Sequence, residues 1–351
     1  MGMGGGSPSN GDNNHGQLGL GNENAKSSPE EVKGKKYVSV AAGYAHTLAI
    51  DEAGYLWAWG LNNYGQLGKG HTTKSSIPLE VKAGTKFIAI AAGGVDDGFS
   101  LAIDSNGSLW VWGRNNYGQL GVNDGTKTYK LSPVSIMPTI KFKAVMAGAQ
   151  HSLALASNGD LYAWGRNNYY QLGVNDGTTT DKTSPVLIKQ NIVSISAVYY
   201  HSLAIDTSGN LWVWGLNNYS QLGDGSTTNL RIPTQIRTGN LISGATVNVP
   251  KFKTVAGGYA HTLAIDIEGK LWAWGSNENG CLGYGSLSST PKNRPLKLDT
   301  NVSFTAVNAF SQSIAICEDG RVWTWGRGRH YRLGQGNSND LPVPTPISSI
   351  P

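Results

Sequence analysis

Short runs of apolar side chains recur along the chain and predict β-strands. In the clearest copy, the runs lie at residues 38–40, 46–50 and 56–59. Successive side chains of a strand point to opposite faces, so Trp57 and Trp59 share one face of the third run while Leu56 and Ala58 share the other. Both faces are apolar, so the sheet must be covered on both sides. This favours stacked sheets over a sandwich with one solvated face.

A tight turn joins the second and third runs. It begins with Asp and ends with Gly, as in Asp51-Glu-Ala-Gly54, and the same pattern returns at residues 104–107, 206–209 and 266–269. An Asp side chain can bond to the backbone of such a turn, and Gly accepts the left-handed conformation that closes it. The second and third runs are therefore predicted to form a β-hairpin.

The whole pattern returns with a period of about 50 residues, which is typical of propellers and solenoids. Each unit closes on a Pro-led apolar step that we interpret as a fourth, outer strand, so the predicted order is A, B, C and D. The prolines are Pro29, Pro78, Pro133, Pro185, Pro233, Pro295 and Pro344. All 11 Trp residues fall in six Trp-x-Trp positions, and Tyr162 takes the remaining place.

These residues resemble the RCC1 repeat, named for the regulator of chromosome condensation. The resemblance rests on Ala-Gly-x-x-His-(Thr/Ser)-Leu-Ala, as at residues 42–49, then Leu-Trp-x-Trp-Gly at 56–60 and Gly-Gln-Leu-Gly at 65–68. Copies cover the chain from about residue 13 to residue 347. The resemblance implies an all-β propeller of four-stranded antiparallel blades, of the seven-bladed type.

The motif count leaves the number of blades open. Six hairpins are present, but Gly-Gln-Leu-Gly or a variant begins seven times, at Gly16, Gly65, Gly118, Tyr170, Ser220, Gly280 and Tyr331. We favour a seven-bladed type with one incomplete blade over the alternative, a closed six-bladed ring. An incomplete blade has an unpaired edge strand, which could pair with a partner or with another copy of the chain.

The predicted organisation is a single propeller over residues 1–351. Residues 1–36 would form a partial first repeat, with an outer strand at Pro29-Glu-Glu-Val32, and residues 37–347 six full repeats. The longest unit contains an insertion at residues 237–250, which we place at the edge of the sheets formed by the B–C turns.

Composition excludes several classes of protein. The 351 residues include 47 Gly but only 28 basic and 23 acidic residues, which argues against a disordered chain, a coiled coil or a charged helical bundle. No apolar run reaches the roughly 18 residues of a membrane helix, and the first residues do not resemble a secretory signal. We therefore expect no membrane insertion, and the cytoplasm by default.

The sequence carries no sign of catalysis, a cofactor or a metal site. It has no nucleophile elbow, phosphate loop or Ser/His/Asp set, so we expect no enzyme. His46, His151, His201 and His261 occupy one repeated position in different blades, too far apart to share a metal whose ligand bonds are about 2 Å. We expect them to bond to the backbone at the start of strand B.

Charge and cysteine content also limit the possible functions. The formal net charge is only +5 and the basic residues are scattered, so nucleic-acid binding is unsupported. Cys281 and Cys317 are predicted at opposite edges of the sheets, too far apart for a disulfide.

Candidate contact residues collect at one edge of the sheets. Strand direction alternates, so the A–B and C–D loops emerge together at what we call the loop edge. Tyr and Arg are enriched at interaction hot spots, and Asp96 and Asp97 form an irregular acidic insertion there. The candidate partner-binding residues are Tyr44, Tyr64, Asp96, Asp97, Arg114, Tyr117, Arg166, Tyr169, Tyr199, Tyr200, Tyr219, Tyr259, Arg327 and Arg329. The alternative is that the repeated Asn-Asn-Tyr tyrosines only fill gaps between blades.

The function we predict is a non-catalytic protein-binding scaffold that uses the loop edge or an open blade edge. The resemblance implies two alternatives, a guanine-nucleotide exchange factor for a small GTPase and a protein inhibitor of an enzyme such as a β-lactamase. Exchange activity would need an acidic loop constellation, of which only Asp96 and Asp97 give a hint. The ultraviolet photoreceptor of the family carries Gly-Trp-Arg-His-Thr, but residues 43–47 here lack the Trp, so light sensing is not expected.

Overall fold

The structure is a computed structural model that describes residues 13–26, 30–95, 98–241 and 243–347. Asp96, Asp97 and Pro29 lie outside the described residues. The chain divides into two compact units. Unit 1 comprises Met1–Asn168 and Thr179–Gln190, and unit 2 comprises Tyr169–Thr178 and Asn191–Pro351.

Unit 1 contains three repeats of four antiparallel strands. Its strands are β1 (Tyr37–Ala42), β2 (His46–Asp51), β3 (Tyr55–Gly60), β4 (Ser75–Gly93), β5 (Phe99–Asp104), β6 (Leu109–Gly113), β7 (Lys130–Ile136), β8 (Phe142–Ala147), β9 (His151–Ala156), β10 (Leu161–Gly165) and β11 (Lys182–Lys189). The long strand β4 serves as strand D of the first repeat and strand A of the second, so these two repeats share one seven-stranded sheet. Strands β8 to β11 form the third repeat.

Unit 2 contains three further repeats and an additional hairpin. Its strands are β12 (Ile192–Val198), β13 (His201–Asp206), β14 (Leu211–Gly215), β15 (Leu230–Gln235), β16 (Thr238–Asn240), β17 (Thr246–Asn248), β18 (Phe252–Gly257), β19 (His261–Asp266), β20 (Leu271–Gly275), β21 (Lys292–Lys297), β22 (Phe304–Ala309), β23 (Gln312–Cys317), β24 (Val322–Gly326) and β25 (Leu341–Pro346). Single 3-10 turns lie at Glu278–Gly280 and Arg329–Tyr331.

The core of each unit lies between successive sheets. Every residue of β2 is buried, which confirms that both faces of the sheet are covered. Leu48 and Leu56 of the first repeat pack in one cluster with Trp112 of the second, a fully buried side chain. The second Trp of Trp-x-Trp therefore fills the seam between repeats, as the apolar pattern indicated.

The predicted turns and outer strands are confirmed. Gly54 and Gly107 close their turns with φ of +90° and +78°, values that favour Gly. Each full repeat ends in a Pro-containing outer strand: β4, β7, β11, β15, β21 or β25. The expected fold class, all-β with four-stranded antiparallel blades, is thus confirmed. The number of blades and the single-domain organisation stay predictions.

The carboxylate that opens each turn also binds a Trp side chain. Oδ1 of Asp51 accepts hydrogen bonds from the backbone N–H groups of Ala53 and Tyr55, at 3.0 and 2.9 Å. Its Oδ2 accepts a hydrogen bond from Nε1 of Trp57 at 2.9 Å. Burial alone would raise the pKa of Asp51, but these bonds and the nearby Lys35 lower it.

Two features at the margins differ from the sequence analysis. The outer strand predicted at Pro29–Val32 is wrong for residues 30–32, which form no strand. Within the insertion at residues 237–250, β16 and β17 form a hairpin, and Asn240 of β16 pairs in parallel with Leu296 of β21. The insertion therefore extends the sheet beyond its outer strand.

Both cysteines are free and buried. Across the described ranges, no helix is long and apolar enough to cross a membrane.

Candidate functional site

The Gly-Gln-Leu-Gly loop of one repeat is bonded to the following repeat through a backbone oxygen. The carbonyl of Gln66 accepts hydrogen bonds from Ser100 Oγ and Trp112 Nε1, both at 2.8 Å. We call such a pair the inter-repeat bonds. They recur at Gln17 with Thr47 and Trp59, at Gln119 with Ser152 and Trp164, at Gln171 with Ser202 and Trp214, and at Cys281 with Ser313 and Trp325. The loop edge is thus held by buried polar contacts.

Repeated histidines belong to the same network, and the prediction that they bond to the backbone is wrong for His46 and His201, whose Nε2 atoms contact a hydroxyl of the next repeat. Nε2 of His46 lies 3.0 Å from Oγ of Ser100 in the next repeat. Because that hydroxyl donates its proton to the Gln66 carbonyl, His46 must donate from Nε2. His261 makes the equivalent contact with Ser313 at 3.0 Å.

This arrangement gives His46 a structural role. Burial lowers the pKa of His46 to about 4, so its ring is neutral at pH 7. Its ring packs on Gly43, where a Cβ would lie 2.3 Å from Cε1 of His46. Ser100 is fully buried and its proton is already committed, so the Ser–His pair offers no nucleophile. In the part of the chain that the structure describes, no group of His, Cys, Asp and Glu could hold a metal ion.

In unit 2, four of the predicted tyrosines form a continuous row at the loop edge. The ring centroids of Tyr169 and Tyr200 are 5.0 Å apart, those of Tyr200 and Tyr199 are 4.3 Å apart, and those of Tyr199 and Tyr259 are 4.2 Å apart. The Tyr259 hydroxyl donates to that of Tyr199 over 3.4 Å. We call Tyr169, Tyr200, Tyr199 and Tyr259 the tyrosine row. Its contacts join the C–D loop of one repeat to the A–B loops of the next two.

Tyr199 lies at the centre of the row in an unusual conformation. Its φ of +44° lies in the left-handed region, which residues other than Gly rarely adopt. Burial, the hydrogen bond with Tyr259 and the neighbouring phenols raise the pKa of Tyr199. Its hydroxyl therefore stays protonated at neutral pH and keeps its capacity as a hydrogen-bond donor.

In unit 1, the predicted tyrosines pair with arginines. The Arg114 guanidinium lies over the Tyr64 ring, 5.1 Å from its centroid, and that of Arg166 lies 4.5 Å from the centroid of Tyr117. Nη1 of Arg166 also donates to Oε1 of Gln150. Aromatic contact therefore holds each planar guanidinium in place.

The remaining predicted residues lie apart from these groups. Tyr44 is half-buried and Tyr219 is 51% exposed, and neither makes a ring contact with another described residue. Arg327 and Arg329 lie in the C–D loop of the sixth repeat, half-buried and exposed respectively. Arg332 lies beside them, at the position that Gln holds in other copies of the Gly-Gln-Leu-Gly motif.

Comparisons with known proteins agree with the repeat pattern. A family model described as the RCC1-like domain matches residues 9–350. The ultraviolet-B receptor UVR8 of Arabidopsis thaliana is 31% identical over 346 residues, which cover 95% of this chain and 76% of the receptor. The E3 ubiquitin-protein ligase HERC2 of Homo sapiens is 29% identical over 258 residues, 72% of this chain but only 5% of the ligase.

The solved structures give the same result. Prp20p from Saccharomyces cerevisiae, described together with its binding properties to Gsp1p and histones, superposes with a TM-score of 0.80 and 25% identity. The match covers 96% of this chain and 84% of that one. With the family model spanning nearly the whole sequence, the chain belongs to the RCC1-like family of β-propeller proteins.

Proposed function

We propose that the chain is a non-catalytic protein-binding scaffold whose contact surface is the loop edge. The observation that carries this proposal is the tyrosine row. Its phenol side chains take no part in the inter-repeat bonds, which use a backbone carbonyl, a hydroxyl and an indole. The Tyr199-Tyr200 pair also departs from the Tyr-Ala found at residues 44–45 and 259–260. Tyrosines that only fill gaps between repeats would not need a second Tyr in place of Ala at this position.

The physical properties of the row suit a protein interface. Tyr offers a large contact area with few rotatable bonds, so little conformational entropy is lost on binding. The rings already contact one another, which further restricts them before a partner arrives. Relatives that include a photoreceptor and a protein described by its binding to Gsp1p and histones suggest protein binding or regulation.

The test compares two matched variants in a quantitative pull-down from cells of the source organism. The double variant Tyr199→Ser with Tyr259→Ser removes the centre of the row, and the control Tyr55→Ser removes a half-buried Tyr near a B–C turn. We expect the control to capture the same proteins as the unaltered chain. The double variant should capture at least tenfold less of each. Retention by a correctly folded double variant would contradict the proposal.

Exchange of guanine nucleotide on a small GTPase is a second candidate function. It is favoured by the likeness to Prp20p, which is described as binding Gsp1p. The assay follows release of a fluorescent GDP analogue from purified Gsp1p, with and without this chain. Acceleration that is lost in Asp96→Ala with Asp97→Ala would establish exchange and overturn the scaffold proposal.

Self-association through an unpaired blade edge also stays a proposal, and inhibition of an enzyme such as a β-lactamase stays a prediction. Sedimentation velocity across a concentration series tests self-association. A single monomeric species at every concentration would exclude it.

A further inference from the structure

Arg332 connects two loops of the sixth repeat. It occupies the position that Gln holds in the Gly-Gln-Leu-Gly motif and is only 3% exposed. Nε donates to the carbonyl of Arg329 at 2.9 Å, and Nη1 donates to Oγ of Ser311 in the A–B loop. A buried guanidinium thus fixes the C–D loop against the A–B loop.

Positive charge accumulates around this contact. Arg327 and Arg329 lie in the same loop, and neither has an ion-pair partner among the described residues. Asp340 is the nearby carboxylate, and its oxygens accept from Gly328 N at 2.8 Å and Asn279 Nδ2 at 2.9 Å. Burial, followed by the like charges of Arg327 and Arg329, lowers the pKa of Arg332 to about 10. We call Arg327, Arg329 and Arg332 the arginine cluster.

The arginine cluster is continuous with the tyrosine row. The backbone N–H of Tyr259 donates to the carbonyl of Phe310 at 2.7 Å, and the next residue, Ser311, binds Arg332. Tyr259 is 42% exposed and Arg329 is exposed. Adjoining loops of unit 2 therefore carry exposed phenol side chains and the exposed guanidinium of Arg329, with the half-buried Arg327 beside it.

We propose that the surface of these adjoining loops binds an extended, acidic segment of a partner protein. Guanidinium groups bind carboxylates with two parallel hydrogen bonds, and phenol hydroxyls donate to peptide carbonyls. The inference rests on the proposed protein-binding function and adds the chemistry of the partner.

The geometry favours a peptide over a single-stranded nucleic acid. Stacking of bases needs open aromatic faces beside a charged groove that follows the phosphates. In the tyrosine row, the ring of Tyr199 lies between those of Tyr200 and Tyr259, with centroids 4.3 and 4.2 Å away, so the centre of the row has no open ring face on which a base could stack. Arg327 and Arg329 both lie in the C–D loop of the sixth repeat, which suits a short acidic stretch.

Fluorescence anisotropy with the full chain tests this inference. The probe is a labelled peptide of about twelve residues that alternates Glu with Gly or Ser, and the comparison probes are the same peptide with Lys for Glu and an oligothymidylate of equal length. We expect binding of the acidic peptide only. Arg327→Gln with Arg329→Gln should raise its Kd at least tenfold, and Tyr199→Ser with Tyr259→Ser should raise it severalfold.

The matched control is Arg321→Gln, which removes one charge from the B–C turn of the same repeat, where Arg321 pairs with Asp319 at 2.7 Å. It should leave the Kd unchanged. An equal loss in this control would show nonspecific attraction and overturn the inference, as would tighter binding of the oligothymidylate. Failure of the acidic peptide to bind, with proteins still captured through the tyrosine row, would overturn the acidic partner alone and leave the scaffold proposal standing.

Discussion

Oδ2 of Asp104 accepts a hydrogen bond from Nε1 of Trp110 at 2.9 Å, six residues along the chain. The same contact is made by three other Asp–Trp pairs, at Asp51, Asp206 and Asp266. In the third repeat, Ala156 stands in place of the Asp and Tyr162 in place of the Trp. The third repeat therefore lacks both partners: its side chain at the Asp position cannot accept a hydrogen bond from an indole N–H, and no Trp is present to donate one.

We predict that Asp104 and Trp110 are energetically coupled. Asp104→Ala should lower the free energy of unfolding by about 2 kcal/mol, because it leaves the indole and two turn amides without their acceptor. In a Trp110→Tyr background the same change should cost about 1 kcal/mol less. Denaturant unfolding of the four proteins of the cycle measures the coupling. Strictly additive losses would contradict it.

We predict that Ser100 tolerates Thr but not Ala. Ser100→Ala removes a donor from the Gln66 carbonyl and the acceptor of His46 Nε2, both buried, and should cost about 2 to 3 kcal/mol. Ser100→Thr keeps the hydroxyl, and Thr47 and Thr262 already occupy this position in other repeats, so it should cost less than 1 kcal/mol. Equal losses in the two variants would show that the hydroxyl is not the stabilising group.

The buried histidines should make stability fall as the pH falls from about 7.5 to 5. The pKa of His46 is about 4 in the folded chain and about 6.5 when unfolded, so in this range only the unfolded chain takes up the proton. Each such His should lose about 2 kcal/mol of stability between pH 7.5 and pH 5. Burial also lowers the pKa of His261 to about 4 and that of His151 to about 3.

Two reciprocal variants isolate this effect. His46→Gln should make the unfolding free energy depend less steeply on pH, because the contribution of one buried histidine is removed. Gln312→His places a histidine at the same position of the sixth repeat and should make the dependence steeper. Thermal or denaturant unfolding at pH 7.5, 6 and 5 gives both slopes. A His46→Gln protein with an unchanged slope would refute the assignment.

We predict that Ser220→Gly stabilises the chain by about 0.5 to 1 kcal/mol. Ser220 has a φ of +60° at the first position of the Gly-Gln-Leu-Gly motif, where Gly65 and Gly118 have +76° and +77°. Relief of the left-handed strain exceeds the added entropy of the unfolded chain. The reverse change, Gly118→Ser, should destabilise by more, since a Cβ there would lie 2.7 Å from Cα of Thr183. A loss of stability in Ser220→Gly would contradict this account.

The sequence predicted those parts of the fold that depend on neighbouring residues. The hairpin turn at Asp51–Gly54, the outer strand around Pro78 and the seam position of Trp112 each follow from residue type and local spacing. The acceptor of Trp112 did not follow, because it is the backbone oxygen of Gln66 and carries no signature of its own. The pairing of β16 with β21 was also missed, since a single parallel contact between distant segments leaves no periodic pattern.

The candidate site was predicted as a set of residue types but not as a geometry. The alternation of strands placed Tyr169, Tyr199, Tyr200 and Tyr259 at one edge, and the structure brings these four into contact. Which tyrosines would touch depends on distances between repeats, and these are set by core packing. The same limit explains why Tyr44 and Tyr219 appeared equivalent to the others.

The inter-repeat bonds make neighbouring sheets depend on each other when the protein unfolds. If β5 and β6 came apart, the Gln66 carbonyl in the preceding repeat would lose both of its donors at once. Buried polar groups left in this way cost about 1 to 3 kcal/mol each. Opening one sheet at a time is therefore penalised, and partly unfolded forms, the species most open to proteolysis and aggregation, should be scarce within each unit.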